Sequence, residues 1–404
     1  MREIVLINIS GPDRPGFTAA FTGVLAECAV SILEINQAVI HDTFSLSALI
    51  DLQDEQTGNA LRHGVQAKAH EFAQQVTFID VSDADYRRWV ANEGEVRHVI
   101  TLMARQLTAG QLHTVTSIIV SHGLRLDRIS PLSSLGPVDR AMATGNGCIE
   151  ISVRGEPADA QRLQAEFLQV SQALDVDIAV QQDTLFRRNR RLAVFDMDST
   201  LIQAEVIDEL AKAHGVGERV SEITERAMRG ELDFRASFKE RMALLKGLEV
   251  GVLDDIGASL RLTEGAEILF AELKRLGYKT AILSGGFSYF ARQVQARLGI
   301  DYVFANELEV VDGKCTGNAI EPIVDAQRKA DLLRELATKE GLSLEQTIAV
   351  GDGANDLPML AIAGLGVAFR AKPLVKQSAR QAISTLGLDG VLYLLGLHDR
   401  DRLS

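Results

Sequence analysis

The sequence has few cysteines, prolines and aromatic residues, and it has no long uninterrupted apolar run. Its 404 residues include 3 Cys and 8 Pro, and only 5% are aromatic. Because Cys28, Cys148 and Cys315 lie far apart, neither a disulfide framework nor a thiolate zinc site is expected. The most apolar stretch, residues 357–369, is broken by proline and glycine. It is shorter than the roughly 18 residues that a membrane-spanning helix needs.

Basic residues are also in deficit. The chain has 42 Lys and Arg against 55 Asp and Glu, which gives a formal net charge of −13. This balance argues against nucleic acid or a membrane surface as a partner. The N-terminal residues alternate between apolar and polar, as in a strand, and lack the apolar core of a signal peptide. We therefore expect a cytoplasmic protein of two or three domains.

An internal repeat appears when the chain is shifted by 94 residues. Gly16 then aligns with Gly110, and the apolar positions of the helix that follows each glycine coincide. Each copy has the pattern of a βαββαβ unit, with strand-like alternation and helical spacing in the same order. The sequence thus predicts two such units, over residues 1–82 and 97–182, joined by a charged stretch.

From residue 185 onward, short apolar strands alternate with helical stretches, which is typical of a parallel α/β sheet. The predicted strands are 192–195, 280–283, 302–304 and 348–350. About 80 mostly helical residues separate the first two strands, too many for one crossover helix, so we expect an inserted cap over about 205–270. The basic run 187–191 is interpreted as a solvated linker.

Four groups of polar residues follow the predicted strands or begin a helix, where an open α/β sheet binds its ligands. They are Asp196-Met197-Asp198-Ser199-Thr200, Ser284-Gly285-Gly286, Lys329 and Gly351-Asp352-Gly353-Ala354-Asn355-Asp356. Any one of them is compatible with an ordinary cap or turn. All four in this order indicate a catalytic site.

These groups match the four motifs of the haloacid-dehalogenase superfamily, which residues 185–404 resemble. The forms DMDST, SGGF and GDGANDLPM are similar to its phosphoserine phosphatase branch. The two preceding units resemble ACT domains, which are small regulatory modules. The resemblance implies a Rossmann-like parallel-sheet core with a helical cap, preceded by two βαββαβ (ferredoxin-like) ACT domains.

The resemblance also implies roles for the motif residues. Asp196 would be the nucleophile that forms an aspartyl-phosphate, and Asp198 would protonate the leaving group and later activate water. Mg²⁺ would be held by Asp196, Asp198 (through its backbone carbonyl) and Asp352, a set of oxygen ligands that suits this ion. Lys329 would add a second positive charge, with Asp356 and Thr200 in support.

The substrate implied by the resemblance is O-phospho-L-serine, hydrolysed in the last step of serine biosynthesis. The expected substrate-binding residues are Glu205, Met228, Phe234, Arg241, Ser284, Gly285, Lys329 and Asn355. Glu205 would contact the ammonium and Arg241 the carboxylate, although both also fit ordinary helical charges. Two alternatives remain open: a phosphatase or phosphotransferase for another small phosphomonoester, and an amino-acid-sensing regulator whose catalytic half is only a scaffold.

The first βαββαβ unit carries a candidate effector loop of Gly11, Asp13, Arg14, Pro15 and Gly16. Such a loop before a helix can expose backbone N–H groups to a carboxylate, although a plain turn fits equally well. Resemblance to serine-binding ACT domains favours L-serine as the ligand. The aligned stretch of the second unit, 105–110, keeps only its last glycine, so its site is expected to be degenerate. Pairing of the ACT-like units predicts a homodimer.

Overall fold

The computed structural model describes residues 3–92, 94–134, 146–228 and 231–402, without the side chain of Met228. The chain forms two compact units, Met1–Glu95 and Val96–Ser404. Among the residues that the structure describes, no helix combines the length and the apolar character needed to cross a membrane.

The first unit is a four-stranded sheet covered by two helices. Its elements are β1 Glu3–Pro12, α1 Phe17–Glu27, β2 Ser31–Ile40, β3 Thr43–Leu52, α2 Glu55–Glu71 and β4 Gln75–Val81. The strand order is β2-β3-β1-β4, and all pairs are antiparallel. Phe17 and Phe21 of α1 are buried against the sheet. The predicted βαββαβ order is confirmed, and the charged stretch after it contains a further helix, α3 (Asp83–Asn92).

The second unit begins with the same architecture. Its elements are β5 Arg97–Ala104, α4 Ala109–Ser121, β6 Arg125–Pro131, β7 Gly147–Arg154, α5 Ala160–Leu174 and β8 Asp177–Gln182. The strand order β6-β7-β5-β8 reproduces that of the first sheet. The 94-residue repeat is therefore a repeat of fold as well as of sequence.

A six-stranded parallel sheet follows, with the order β11-β10-β9-β14-β15-β16. The strands are β9 Leu192–Phe195, β10 Lys279–Phe287, β11 Tyr302–Asn306, β14 Thr347–Gly351, β15 Leu365–Phe369 and β16 Gln381–Ile383; a separate hairpin is formed by β12 Leu308–Val311 and β13 Lys314–Ala319. Apolar clusters lie on both faces of the sheet. All four predicted strands are present, and β9 lies between β10 and β14. Strands β9, β10 and β14 each carry a predicted polar group to the same edge.

Helices surround this sheet and form the cap. They are α6 Val206–Ala213, α7 Gly217–Met228, α8 Phe234–Leu244, α9 Gly251–Ser259, α10 Ala266–Arg275, α11 Ser288–Leu298, α12 Ala326–Lys339, α13 Leu357–Ile362, α14 Pro373–Ser378 and α15 Gly390–Leu394. The segment that leads from the core into the cap lies beside the segment that leads back, because Ile202 and Leu262 form an antiparallel bridge. Phe270 of α10 packs on Phe195 of β9, with ring centroids 4.8 Å apart. Helix α10 therefore packs against the core sheet.

The basic run 187–191, predicted to be a solvated linker, is only partly solvated, because Arg188 and Arg191 are exposed and its other two arginines are buried. Arg187 is 1% exposed and Arg190 is 4% exposed. Arg187 pairs with Glu150 of β7, and Arg190 donates to Gln181 Oε1 at 3.1 Å. These arginines are held between the βαββαβ part of the second unit and the parallel sheet, which is why they are buried.

Candidate active site

The nucleophile candidate, Asp196, lies directly after the central strand β9. Its backbone N–H donates to Val350 O at 2.9 Å, and its Oδ1 accepts from the Met197 N–H at 2.8 Å. Its Oδ2 is 2.9 Å from Nζ of Lys329. The side chain is buried. One carboxylate oxygen is thus oriented by the backbone and the other by a cation.

Lys329 enters the site from the first turn of α12, which Asp325 caps by accepting from the Arg328 N–H at 2.9 Å. Its fully buried Nζ lies 2.7 Å from Oδ1 of Asp356 as well as beside Asp196. Burial alone would lower the pKa of Lys329, but these two carboxylates outweigh it and hold the pKa above its ordinary value. The ammonium therefore stays charged beside the nucleophile.

Carboxylate oxygens of Asp196, Asp352 and Asp356 lie within 4.8 Å of one another. Thr200 donates its hydroxyl to Oδ1 of Asp352 at 3.0 Å, in keeping with its predicted supporting place. Burial, and then the charge of Asp196, raise the pKa of Asp352 to about 7. Three acids around one ammonium leave uncompensated negative charge. An all-oxygen set of this kind fits Mg²⁺.

Asp198 is half-buried on the same edge, with its carboxylate outside that group of three acids. Its Oδ1 accepts from the backbone N–H of Val206 at the start of α6, at 3.2 Å. Burial, followed by the charges of Glu205 and Asp196, raises the pKa of Asp198 well above its ordinary value. The carboxyl is thus placed at the junction of core and cap, as a proton donor to a leaving group requires. Its predicted role as a metal ligand through the backbone stays a prediction.

The end of β10 forms the wall opposite Asp198. Ser284 is fully buried, and its Oγ accepts from the Gly286 N–H at 2.9 Å. A Cβ on Gly286 would lie 2.3 Å from Oδ2 of Asp198, and one on Gly285 would lie 3.0 Å from the Phe234 ring. Side chains at these two positions would therefore intrude on the acid and on the cap.

Two predicted substrate-binding residues, Glu205 and Arg241, lie on the cap side of the site. Ser199, with a left-handed φ of 55°, donates its hydroxyl to Oε1 of Glu205 at 2.7 Å. Burial lowers the pKa of Arg241, while the charges of Asp208, Glu205 and Asp198 oppose the shift, so Arg241 faces the acidic side of the site. The side chain of Met228, predicted to pack over the site, lies outside the described part of the chain.

Asn355 completes the predicted set, and its side chain folds over Gly353. A Cβ at Gly353 would lie 2.1 Å from Oδ1 of Asn355. The structure therefore gathers the motif residues of β9, β10, α12 and β14 at one edge, together with the cap residues that it describes. Sequence reasoning placed Ser199 and Gly286 in the polar groups but gave neither a role. Each adjoins a motif residue, and only the packed geometry shows what it contacts.

The effector loop predicted in the first unit ends β1 and begins α1. Gly16 is the N-cap of α1 with a φ of 93°, and no side chain among the described residues caps that helix end. Gln74 donates to Pro12 O at 2.7 Å and lies so close to Gly11 that a Cβ there would be 2.6 Å from its Oε1. Within the described residues, this Oε1 is buried and has no hydrogen-bond partner.

Comparison with known proteins agrees with this geometry. The chain matches the model of haloacid dehalogenase-like hydrolases over residues 193–361 and that of ACT domains over residues 3–79. The phosphoserine phosphatase of Streptomyces coelicolor is 41% identical over 393 residues, which is 97% of this chain and 92% of that protein. That of Mycobacterium tuberculosis is 40% identical over 394 residues, 97% and 93% of the two chains.

Solved structures give the same result. A probable phosphoserine phosphatase from Vibrio cholerae, in unliganded form, is 38% identical with a TM-score of 0.59, over 74% of this chain and 86% of that one. A haloacid dehalogenase family hydrolase from Salmonella enterica serovar Typhi has a TM-score of 0.64 at 31% identity, over 74% and 98%. The chain therefore belongs to the phosphoserine phosphatase family of haloacid dehalogenase-like hydrolases, with an ACT domain over residues 3–79.

Proposed function

We propose that the chain hydrolyses O-phospho-L-serine to L-serine and phosphate through an aspartyl-phosphate at Asp196, with Mg²⁺ as cofactor. One observation carries the proposal: Asp196 ends the central strand with one oxygen 2.9 Å from the buried ammonium of Lys329. A carboxylate beside a fixed cation can approach a phosphate dianion that would otherwise repel it. The names of the relatives supply the substrate.

In the first step, the Ser284 hydroxyl, the Gly285 N–H and Lys329 hold the phosphate oxygens. A carboxylate oxygen of Asp196 attacks phosphorus, a new P–O bond forms, and the bond from phosphorus to the seryl oxygen breaks. Asp198 transfers its proton to that oxygen, so serine leaves as the neutral alcohol. The products of this step are the aspartyl-phosphate and the Asp198 carboxylate.

In the second step, Asp198 accepts a proton from a water molecule as the water oxygen attacks phosphorus. The P–O bond to Asp196 breaks, which restores the nucleophile as a carboxylate and releases phosphate. Asp198 ends protonated, as it began, so the cycle is balanced without any further reactant.

Mg²⁺ would be held by Asp196 and Asp352, with the backbone of Asp198 as the ligand that the family resemblance implies. The crowding of Asp196, Asp352 and Asp356 supports this, because these acids exceed the positive charge of Lys329. When bound, the ion would supply positive charge that offsets repulsion between the nucleophile and the phosphate. Asp356, paired with Lys329 at 2.7 Å, would then orient the lysine.

The test is phosphate release from phosphoserine, phosphoethanolamine and a sugar phosphate, with Mg²⁺ and with a chelator. We expect phosphoserine to be preferred strongly and all turnover to need the divalent ion. Equal rates on phosphoserine and phosphoethanolamine would contradict the roles given to Glu205 and Arg241. They would favour the alternative of a less selective phosphomonoesterase.

Arg241→Lys sharpens this test. Lysine keeps the charge but lacks the planar fork that binds a carboxylate through two N–H groups. We expect KM for phosphoserine to rise by about tenfold, the effect of losing ~1.4 kcal/mol of binding. Turnover of phosphoethanolamine, which has no carboxylate, should change little. A parallel rise for both substrates would mean that Arg241 does not bind the carboxylate.

We further propose that L-serine binds the Gly11–Gly16 loop and regulates the enzyme. The end of α1 without a side-chain cap can donate N–H groups to the serine carboxylate. The buried Oε1 of Gln74 can accept from its ammonium, and Asp13 adds negative charge. In the second unit the equivalent helix end is closed instead, because Thr108 and Gln111 form a capping box. This contrast supports one effector site per chain.

A homodimer that acts in serine biosynthesis in the cytoplasm completes the proposal. Strand β2 is an edge strand whose apolar residues are exposed: Ile32 45%, Ile35 44%, Val39 45% and Ile40 77%. Exposed apolar edge strands tend to pair with another chain. Light scattering after size-exclusion chromatography should give twice the chain mass of 44.0 kDa, and a monomer at micromolar concentration would contradict the dimer.

A further inference from the structure

The loop between β5 and α4 occupies, in the second unit, the place of the proposed effector loop. Arg105 aligns with Gly11 in the 94-residue repeat. Its Nη2 donates to Oε1 of Glu264 at 2.5 Å, and its Nε donates to Thr385 O at 3.1 Å. The loop therefore contacts the phosphatase part of the same unit, where the first-unit loop is proposed to bind a ligand.

Glu264 lies where the chain returns from the cap to the core. The preceding N–H, of Thr263, donates to Leu201 O at 2.9 Å, next to the bridge between Ile202 and Leu262. The two connections between cap and core are thus hydrogen-bonded to each other. One of them leads, within a few residues, to Glu205.

The Glu264 side chain is held by two arginines, one on each oxygen. Arg370, which follows β15 in the core, donates to Oε2 at 2.7 Å, and Arg105 donates to Oε1. The backbone oxygen of Glu264 accepts from the Leu388 N–H at 2.8 Å. Glu264 consequently links the core sheet, the cap connection and the second βαββαβ sheet.

Nearby contacts keep this loop against the core. The carboxylate of Asp177, 3% exposed at the start of β8, accepts from the N–H groups of Ser384 and Thr385 at 2.8 Å each. Gln381 of β16 accepts from the Val180 N–H at 2.9 Å. Because side-chain oxygens on both sides of this interface accept from backbone N–H groups across it, Arg105 reaches Glu264 from a fixed base.

We infer that Arg105 is a positioning residue for the phosphatase reaction, acting through Glu264 on the connection between cap and core. The second βαββαβ unit thereby sets how the cap residues meet the substrate, and its degenerate loop is the contact that does so. The inference rests on the proposed function for its readout. An inactive wild-type enzyme would defeat the proposed function, whereas unchanged constants in the variants below would defeat only this inference.

The experiment compares Arg105→Gln with Arg162→Gln in the full chain. Arg162 forms an arginine–glutamate pair with Glu166 inside the second unit and serves as the matched control. Both side chains of the Arg105–Glu264 pair are nearly half exposed, and such a pair is worth up to about 1 kcal/mol, a factor of about five. We expect Arg105→Gln to raise KM for phosphoserine about two- to fivefold with a smaller change in kcat, and Arg162→Gln to change neither.

Further variants separate positioning from stability. Arg105→Lys keeps the charge and should bring the KM part of the way back to its wild-type value. In a Glu264→Gln background, Arg105→Gln should not raise the KM any further. Salt at about 0.5 M screens the pair, so it should narrow the difference in KM between Arg105→Gln and the wild type. A wild-type KM in Arg105→Gln, additivity with Glu264→Gln, or a loss of kcat that only follows a lower Tm at constant KM would each overturn the inference.

Discussion

At the scale of single residues, the site is an excess of negative charge arranged around one ammonium. Asp196, Asp352 and Asp356 share Lys329, which contacts the first and last of them. Removing one acid should therefore cost little stability, because repulsion among the remaining acids falls. Its catalytic cost depends only on the role of that acid.

Asp196→Asn separates these two effects. The amide is a poor nucleophile toward phosphorus, so kcat should fall by at least about a thousandfold. Lys329 keeps its 2.7 Å contact with Asp356, so Tm should stay within a few degrees of wild type. Phosphate release and differential scanning calorimetry provide the measurements, on protein whose mass excludes deamidation. Near-wild-type turnover would rule out the aspartyl-phosphate.

Gly286→Ala tests the close approach beside the acid. Its Cβ would lie 2.3 Å from Oδ2 of Asp198, so the carboxyl must move and proton transfer to the leaving group should weaken. General acid catalysis contributes about 10²- to 10⁴-fold, and we expect at least the lower part of that loss in kcat. Gly251→Ala is the control, because nothing lies within 4 Å of a Cβ there. Equal kcat in the two variants would show that Asp198 tolerates displacement.

Some residues of the site could be predicted from the sequence and others could not. Asp196, Ser284, Lys329 and Asp352 were predicted from their positions after strands and at a helix start, because parallel strands deliver such residues to one edge. The importance of Gly286 and Gln74 was not predicted, because it depends on distances to residues far away in sequence. The roles assigned from the family resemblance stay predictions until variants are measured.

At the scale of elements, helix α8 carries the cap side of the site. Phe234 at its start reaches Gly285, and Arg241 lies near its end. Asp233 caps the helix by accepting from the Ala236 N–H at 2.7 Å. The first turn of the helix, which carries Phe234, is therefore held by one exposed carboxylate.

Asp233→Ala should destabilise the chain by about 1 kcal/mol and raise KM for phosphoserine a few-fold, because the first turn of α8 frays. Asp233→Ser keeps a capping oxygen and should stay near wild type in both quantities. Urea unfolding and steady-state kinetics supply the comparison. A lower stability with an unchanged KM would show that the first turn does not position Phe234.

Elements were predicted best where the pattern is local. The βαββαβ repeats and the strand β9 follow from alternation and spacing, and β9 has its predicted bounds. Strand β15 was missed because an apolar run interrupted by glycine does not distinguish a buried strand from a helix. Strand β16 was missed because it has only three residues. The predicted end of the cap at about residue 270 stays a prediction, and the packing of Phe270 on Phe195, which the sequence pattern does not show, brings α10 against the core.

At the scale of the whole molecule, one fold occurs twice, and the two copies differ at the start of the first helix of each copy. In the first copy no described side chain caps α1 after Gly16, whereas in the second Thr108 and Gln111 close α4. Duplication therefore leaves a helix start without a described side-chain cap in one copy and a loop that contacts the phosphatase part in the other. A ligand of the first copy can change turnover only if it prefers one state of the enzyme.

L-serine should accordingly inhibit the full-length enzyme even at saturating phosphoserine, where competition at the catalytic site is suppressed. Asp13→Ala removes a charge from the loop, and Gly16→Val forces a branched side chain into a φ of 93°. Both should raise the serine concentration for half-inhibition about fivefold or more, the lower end of ordinary coupling energies. Uninhibited turnover should be largely preserved.

Glu71→Ala provides the control, because it removes an exposed carboxylate from the same unit. The serine concentration for half-inhibition of this variant should equal that of the wild type. A higher concentration in Asp13→Ala is then not a general effect of removing a charge. Gln74→Leu removes the buried acceptor beside Gly11 and should weaken inhibition in the same way, since the serine ammonium would then face an apolar group. Unchanged inhibition in Asp13→Ala, Gly16→Val and Gln74→Leu would leave Gly11–Gly16 as a turn that only begins α1. Serine would then have to act elsewhere.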